Sequence, residues 1–381
     1  MLYTCTATCL FGLEKIVKNE ILNLGFSIKN VTDGHVEFLC DDDGIFKANY
    51  FLRTAERVQI NLLEFKAESF EELYDNINEI NWYEYMPENA DFKINGRSYN
   101  SKLFSISDCQ RITEKAIIDS MNRKYKKNFY EKNGDRYVFE ISLINDIATL
   151  YLNSSGAGLH MRGYRLQQGS APIKETLASG LIQLSVWNKD RILLDPFTGS
   201  GTIPIEAMMI GRNIPAGIFR KFDCEKFMFL NKDNFQNIRK QGVRNVDKTT
   251  KLKIYASDYD RNMIQKAREN ISKFPFPDDV FFFTKEVRKL ELENDYGVII
   301  TNPPYGKRLD DQLLNRTYEN FKTLIDKLTN YSIYVITDYN KLEEVFKRKA
   351  TKKRKLYNGN LRTDYYQFLG PKPIRGENVQ I

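Results

Sequence analysis

Asn302-Pro303-Pro304-Tyr305 places an amide, two imino acids and a phenol directly after the strand-like run Tyr296-Gly-Val-Ile-Ile-Thr301. Proline fixes φ and has no N–H to donate, so this segment cannot continue a sheet. An amide side chain, a carbonyl and a phenol are therefore left at the carboxyl edge of a buried strand, where open α/β sheets place ligands. The Asn302 amide oxygen and the Pro303 carbonyl can both accept hydrogen bonds from one planar exocyclic NH2. Tyr305 can stack on the ring that carries that amine. The set suits methylation of a base amine, with Asn302, Pro303, Pro304 and Tyr305 as its candidate catalytic residues.

A second constellation lies upstream. Leu193-Leu-Asp195-Pro-Phe-Thr198-Gly199-Ser-Gly201-Thr reads as strand, tight turn and helix. Two glycines let the backbone approach a ligand closely beside a positive helix N-terminus. Asp195 can meet an ammonium group, so the loop suits a dinucleotide or the amino-acid tail of S-adenosylmethionine. The next strand ends in Asp258, whose carboxylate can take ribose hydroxyls, with Asp260 as second choice. Glu286, after the third strand, can meet an adenine amine. Asp195, Thr198, Gly199, Gly201, Asp258, Glu286 and Asn302 are thus the candidate cofactor residues. Against a nicotinamide cofactor, the third glycine of the dinucleotide fingerprint is missing. Asp258 also follows Gly199 by 59 positions, where that fingerprint places its acid about 20 residues on.

These residues need a scaffold, and the patterning supplies one. From about residue 164, candidate strands 191–195, 253–258, 280–283, 298–301 and 332–337 alternate with helical stretches, the mark of a doubly wound parallel sheet. A closing hairpin is expected around Asn358-Gly359. Two smaller α+β units precede it, at 1–64 and 65–163. In the first, Leu13 to Leu24 is spaced as a helix ending at Gly25. In the second, Ser69-Phe-Glu-Glu opens a capped helix, Ser107 to Asn122 forms another, and Tyr137–Leu143 pairs with Ile147–Leu152. Arg97, Lys102, Arg123, Lys124, Lys126 and Lys127 sit here among Tyr99, Phe104, Tyr125 and Tyr130, a mixture that suits phosphates and unstacked bases. The basic run Lys347–Lys355 reads as a solvated segment.

Composition narrows the classes. The 381 residues carry a net charge of +7, a moderate lean toward polyanions. Two histidines, and five cysteines without a CxxC pair, match no zinc ligand set and make a His-based triad improbable. No metal is expected. No apolar run approaches the roughly 18 residues of a membrane span, and no signal peptide is evident, so a cytoplasmic location is expected.

The chain resembles class I S-adenosylmethionine-dependent methyltransferases, and among them the bacterial RNA guanine-N(2) enzymes with a THUMP domain. The marks are His160-Met-Arg-Gly-Tyr-Arg165, Ala171-Pro-Ile-Lys-Glu-Thr-Leu-Ala178, Asp195-Pro-Phe-Thr-Gly-Ser-Gly-Thr-Ile203, Ser257-Asp258 and Asn302-Pro-Pro-Tyr-Gly306. The likeness implies a ferredoxin-like domain (1–64), a THUMP RNA-binding domain (65–163) and a Rossmann-like methyltransferase domain (164–381). It also implies S-adenosylmethionine as cofactor and RNA, ribosomal 23S RNA first, as partner. Glu286 departs from the pattern, since relatives often have Asp there, and 211–251 is an insertion of open role. Arg162 and Arg165 either join parts of the chain or touch RNA. Three other readings remain in view: a tRNA guanine-N(2) enzyme, an adenine-N(6) enzyme, and a non-catalytic RNA-binding factor.

Overall fold

The computed structural model describes residues 1–127, 130–166, 173–293, 296–305, 310–359 and 361–372. Ala171, Pro172 and Gly306 of the motifs above lie outside them. Two compact units form. One holds Met1–Cys9, Val17–Leu159 and Arg220–Gln241; the other holds Leu10–Ile16, His160–Phe219 and Gly242–Ile381.

The first unit is built on one seven-stranded sheet. In chain order its elements are β1 (Tyr3–Cys9), α1 (Glu14–Asn23), β2 (Ser27–Thr32), β3 (His35–Cys40), α2 (Asp42–Phe51), β4 (Ala55–Lys66), α3 (Phe70–Asn78), β5 (Asp91–Tyr99), α4 (Ile106–Tyr125), β6 (Arg136–Ile144) and β7 (Ile147–Asn153). The sheet order is β2-β3-β1-β4-β7-β6-β5. The 12-residue β4 sits at its centre and pairs with β1 on one side and β7 on the other. Residues 1–64 and 65–163 thus share one sheet. Ser69 caps α3 through the expected capping box with Glu72. β2 and α2 were not expected: β2 is almost wholly exposed and shows no apolar alternation.

Part of the 211–251 insertion belongs to this unit. Phe222, Cys224, Phe227, Leu230, Phe235 and Ile238 join its core. Phe235 stacks on Phe46 with ring centroids 4.5 Å apart. The Arg239 guanidinium lies over Phe46, Tyr50 and Phe222.

The second unit continues with α5 (Glu175–Gln183), β8 (Leu193–Asp195), α6 (Thr202–Gly211), α7 (Phe235–Arg244, mostly in the first unit), β9 (Ile254–Asp258), α8 (Arg261–Ile271), β10 (Val280–Thr284), β11 (Val298–Thr301), α9 (Asp311–Ile325), β12 (Ser332–Thr337), α10 (Leu342–Phe346), β13 (Lys352–Asn358) and β14 (Leu361–Phe368). Its sheet runs β10-β9-β8-β11-β12-β14-β13. The first five strands are parallel, and β14 and β13 close the edge antiparallel. Alternate residues of the central strands enter different cores, as a pleat requires. Val298 and Ile300 pack with α5, α6 and α8, whereas Ile299, Ile333 and Val335 pack with α9 and α10. This is a class I methyltransferase fold, covered on both faces. Among the described residues no helix is long and apolar enough to cross a membrane.

Candidate active site

β8, β9 and β11 are neighbours, so their carboxyl ends gather Asp195, Asp258 and Asn302 at one sheet edge. Asp195 is 1% exposed. Its Oδ1 accepts from Thr301 Oγ1 at 2.6 Å and from the Phe197 N–H at 3.3 Å. Burial pushes its pKa up to about 7 against those hydrogen bonds, and the negative charge of Asp258 adds to the rise.

The loop after β8 turns through two left-handed glycines. Gly199 (φ +53°) presents open space where a side chain would stand, and its N–H donates to Asp258 Oδ2 at 3.0 Å. Gly201 (φ +85°) has no such room, because a Cβ there would lie 3.0 Å from Ala267. It precedes α6, whose N-terminus has no side-chain cap, leaving N–H groups for a ligand. The Thr198 N–H donates to the Ser257 carbonyl, and Asn270 of α8 holds the Ser200 carbonyl at 3.1 Å.

Asp258 accepts a second N–H from Asp260 at 3.0 Å, and burial raises its pKa. Asp260 instead caps α8 by accepting from the Asn262 N–H. Glu286 follows β10 at the surface, 45% exposed, and pairs with Arg288 at 2.8 Å and Lys289 at 3.3 Å. Those two cations hold its pKa below the usual carboxylate range.

Asn302 follows β11 directly, and its side-chain oxygen is buried without a hydrogen-bond partner. Pro303 is buried and Pro304 exposed. Tyr318 reaches the Pro304 carbonyl at 3.4 Å and shares a 2.6 Å hydrogen bond with Thr337. Tyr305 is half-buried, and its hydroxyl accepts from Asn358 Nδ2 at 2.7 Å. Burial pushes the phenol up to about 12.

The structure corrects one expectation. Arg162 is 1% exposed and ion-paired with Glu206 of α6 at 3.3 Å, where Tyr164 and Ser179 also donate. Arg165, with 8% of its side chain exposed, donates to Glu175, to the Ile173 carbonyl and to Thr202 at the start of α6. Neither guanidinium can reach a phosphate. The segment 162–165 secures the helix that carries the glycine loop.

The remaining basic candidates lie on the first unit. Arg97 pairs with Glu140 and donates to Ser142 and His35. Arg123 donates to the carbonyls of Asn78, the last residue of α3, and of Ile80. Lys102 pairs with Glu68, and Lys127 with Glu88. Lys124 lies over the rings of Tyr83 and Tyr125, and Lys126 is exposed. Sequence reasoning passed over Thr301, Asn270 and Asn358. Thr301 adjoins the four-residue motif and was within reach; the other two make contacts that no local pattern announces.

Three family models match the chain: an RlmL ferredoxin-like domain over residues 4–59, a THUMP domain over 67–153 and an RMKL-like methyltransferase domain over 162–367. YpsC of Bacillus subtilis (strain 168), which carries a provisional name as an RNA methyltransferase, is 42% identical over 99% of both chains. The tRNA (guanine(6)-N2)-methyltransferase of Methanocaldococcus jannaschii is 32% identical, covering 87% of this chain and 89% of that one. Among solved structures, SMU.472, provisionally titled a methyltransferase and complexed with SAH, is 35% identical with a TM-score of 0.91 over 97% of this chain and 99% of its own. S-adenosylmethionine is the methyl donor this fold takes, and the residues here fit it. Gly199 opens a cradle that a Cβ would enter. Ser257 Oγ and Asn302 Oδ1 are buried around the same edge without partners, a cost of roughly 1–3 kcal/mol per atom that a polar ligand can remove.

Proposed function

Because the chain belongs to the THUMP-containing, RMKL-like methyltransferases, we propose that it methylates the exocyclic amine of a guanine in RNA, with 23S ribosomal RNA as the target. One observation carries the reading: a buried, unpartnered acceptor, Asn302 Oδ1, stands just past the end of β11, the neighbour of the strand that leads into the glycine loop. The bound cofactor supplies an electrophilic methyl group on a sulfonium. The protein's task is then to aim a poor nucleophile, since the lone pair of a base amine is delocalised into its ring. Hydrogen bonds from that NH2 to Asn302 Oδ1 and the Pro303 carbonyl favour a pyramidal nitrogen and expose the lone pair. Positioning of this kind supplies several kcal/mol of a barrier. Asn302 is no base, and Tyr305 stays protonated at neutral pH, so the proton leaves to water after transfer. An unpaired or extruded base is required, and Tyr305 offers it a ring face.

Guanine-N(2) is supported by the named activity of the archaeal relative, and ribosomal RNA by the resemblance of the sequence motifs alone. Transfer RNA is the second reading, favoured by that same relative. The THUMP domain argues for RNA over DNA adenine. The test is transfer from labelled cofactor to ribosomal RNA, transfer RNA and duplex DNA taken from a strain lacking the enzyme, followed by nucleoside analysis. N(2)-methylguanosine in the 23S fraction is expected. Asn302→Ala should lower the rate at least about 100-fold while RNA affinity stays within threefold. Label in adenine, or a fully active Asn302→Ala protein, overturns the reading.

A further inference from the structure

The two prolines fix the backbone of the four-residue motif but leave the Tyr305 side chain free to rotate. Something else must hold the ring. Its hydroxyl is bound by Asn358, the last residue of β13, 53 positions away in sequence. Asn358 pairs with Leu361 across the tip of the β13–β14 hairpin, and Gly359 follows it with φ +62°.

The hairpin's own position is secured. β14 pairs with β12 along five residues, from Ile333↔Phe368 to Thr337↔Asp364. Arg354 of β13 donates to the Gly12 carbonyl at 3.2 Å. A side chain at Gly12 would stand 2.9 Å from the Lys355 carbonyl, so the segment around Gly12 lies flat against β13. Asn358 therefore belongs to a braced element and is fit to hold another side chain in place.

The direction of the hydrogen bond matters. Asn358 donates through Nδ2, so the phenol oxygen is the acceptor. That bond by itself favours the charged form, but burial outweighs it and keeps the phenol neutral. Tyr305 is thus neither a base nor a charged group, and what it can offer a base is a ring held in one orientation.

We propose that Asn358 is a positioning residue of the target-base site, holding the Tyr305 ring beside Asn302 from the far edge of the sheet. The inference rests on the reading that Tyr305 faces the target base. A plain turn-forming asparagine is the alternative, and the two differ in one respect. A turn residue affects stability whatever stands at 305; a positioning residue acts only through the Tyr305 hydroxyl.

The experiment is a double-mutant cycle read by single-turnover methylation of RNA from the deletion strain, with SAH affinity and thermal midpoint measured in parallel. Asn358→Ala and Tyr305→Phe should each slow transfer about tenfold, and the double variant should be no slower than either. SAH affinity should stay within twofold throughout. Asn358→Asp restores a hydrogen bond with the tyrosine as donor, and should recover most of the lost rate. Tyr305→Phe removes the same bond without touching the turn, so the proposal stays testable if Asn358→Ala folds poorly. Wild-type rate in Asn358→Ala or Tyr305→Phe, or a double variant slowed by the product of both factors, overturns it. Asn302→Ala is the control. If that variant is fully active, the reading of the site has failed; if it is inactive while Asn358→Ala is normal, only the positioning role has failed.

Discussion

Asp195 carries the most quantitative prediction. Its carboxyl lies buried at the end of β8, faced by the Thr301 hydroxyl, the Phe197 N–H and the charge of Asp258, and its pKa stands near 7. An aspartate in an unfolded chain titrates near 3.9. The folded protein therefore binds this proton more tightly than the unfolded chain does between about pH 4 and 7. The stabilisation is complete below pH 4 and is lost as pH rises through 7. Three units at 1.36 kcal/mol each amount to about 4 kcal/mol. Asp195→Asn keeps an oxygen for Thr301 and removes the buried charge, so it should raise the thermal midpoint at pH 8 and leave it nearly unchanged at pH 5. If Asp195 meets the cofactor's ammonium group, binding returns the carboxyl to its charged form and releases a proton. At pH 6.5 about three quarters of a proton should be released. Affinity for SAH should climb up to tenfold per pH unit toward 7 and then level off. Titration calorimetry in two buffers of different ionisation enthalpy measures the release directly. 5′-Methylthioadenosine lacks the ammonium group and should show neither effect. Identical pH dependence for the two ligands would refute the assignment, and no gain for Asp195→Asn at pH 8 would refute the strain behind it.

Two further outcomes follow from packing. Arg162→Met leaves Glu206 charged in a fully buried site, which costs about 3–5 kcal/mol. The thermal midpoint should fall by roughly 10 °C, and pairing the change with Glu206→Gln should restore part of it. Phe235→Ala removes a ring stacked on Phe46 and should destabilise the first unit by about 3–5 kcal/mol. Denaturant unfolding followed by tryptophan emission checks this through Trp82, buried in that unit's core; an unchanged midpoint would mean that the insertion is not integral to it.

The legible parts of the chain were those set by local pattern. The capping box at Ser69, the pairing of Tyr137–Leu143 with Ile147–Leu152 and the parallel strands of the second unit all rest on neighbours in sequence. β2 was missed because its partner β3, not a buried face, makes it a strand. The insertion was opaque for a related reason. The apolar spacing from Phe222 to Ile238 says that something covers it, and only the fold says that the cover is the first unit. Arg162 and Arg165 stayed open because of their type. Arginine beside tyrosine suits RNA as well as it suits a buried carboxylate, and the deciding partner, Glu206, lies 44 residues from Arg162.

The same distinction runs through the site and bears on how it works. Asp195 and Asn302 stand at the ends of β8 and β11, strands paired through Val298↔Leu193 and Ile299↔Leu194. Paired strands lie about 4.8 Å apart, and the Thr301–Asp195 hydrogen bond ties the two ends together. The separation between Asp195 and Asn302 is therefore set by the sheet itself. Loops have little part in it, which fits a reaction whose catalysis is largely aim. What the sheet does not set is the orientation of side chains beyond its edge, and Tyr305 is the case in point. Its restraint comes from β13, at the sheet's far edge, so the target-base side of the site can be altered through Asn358 without disturbing the cofactor side.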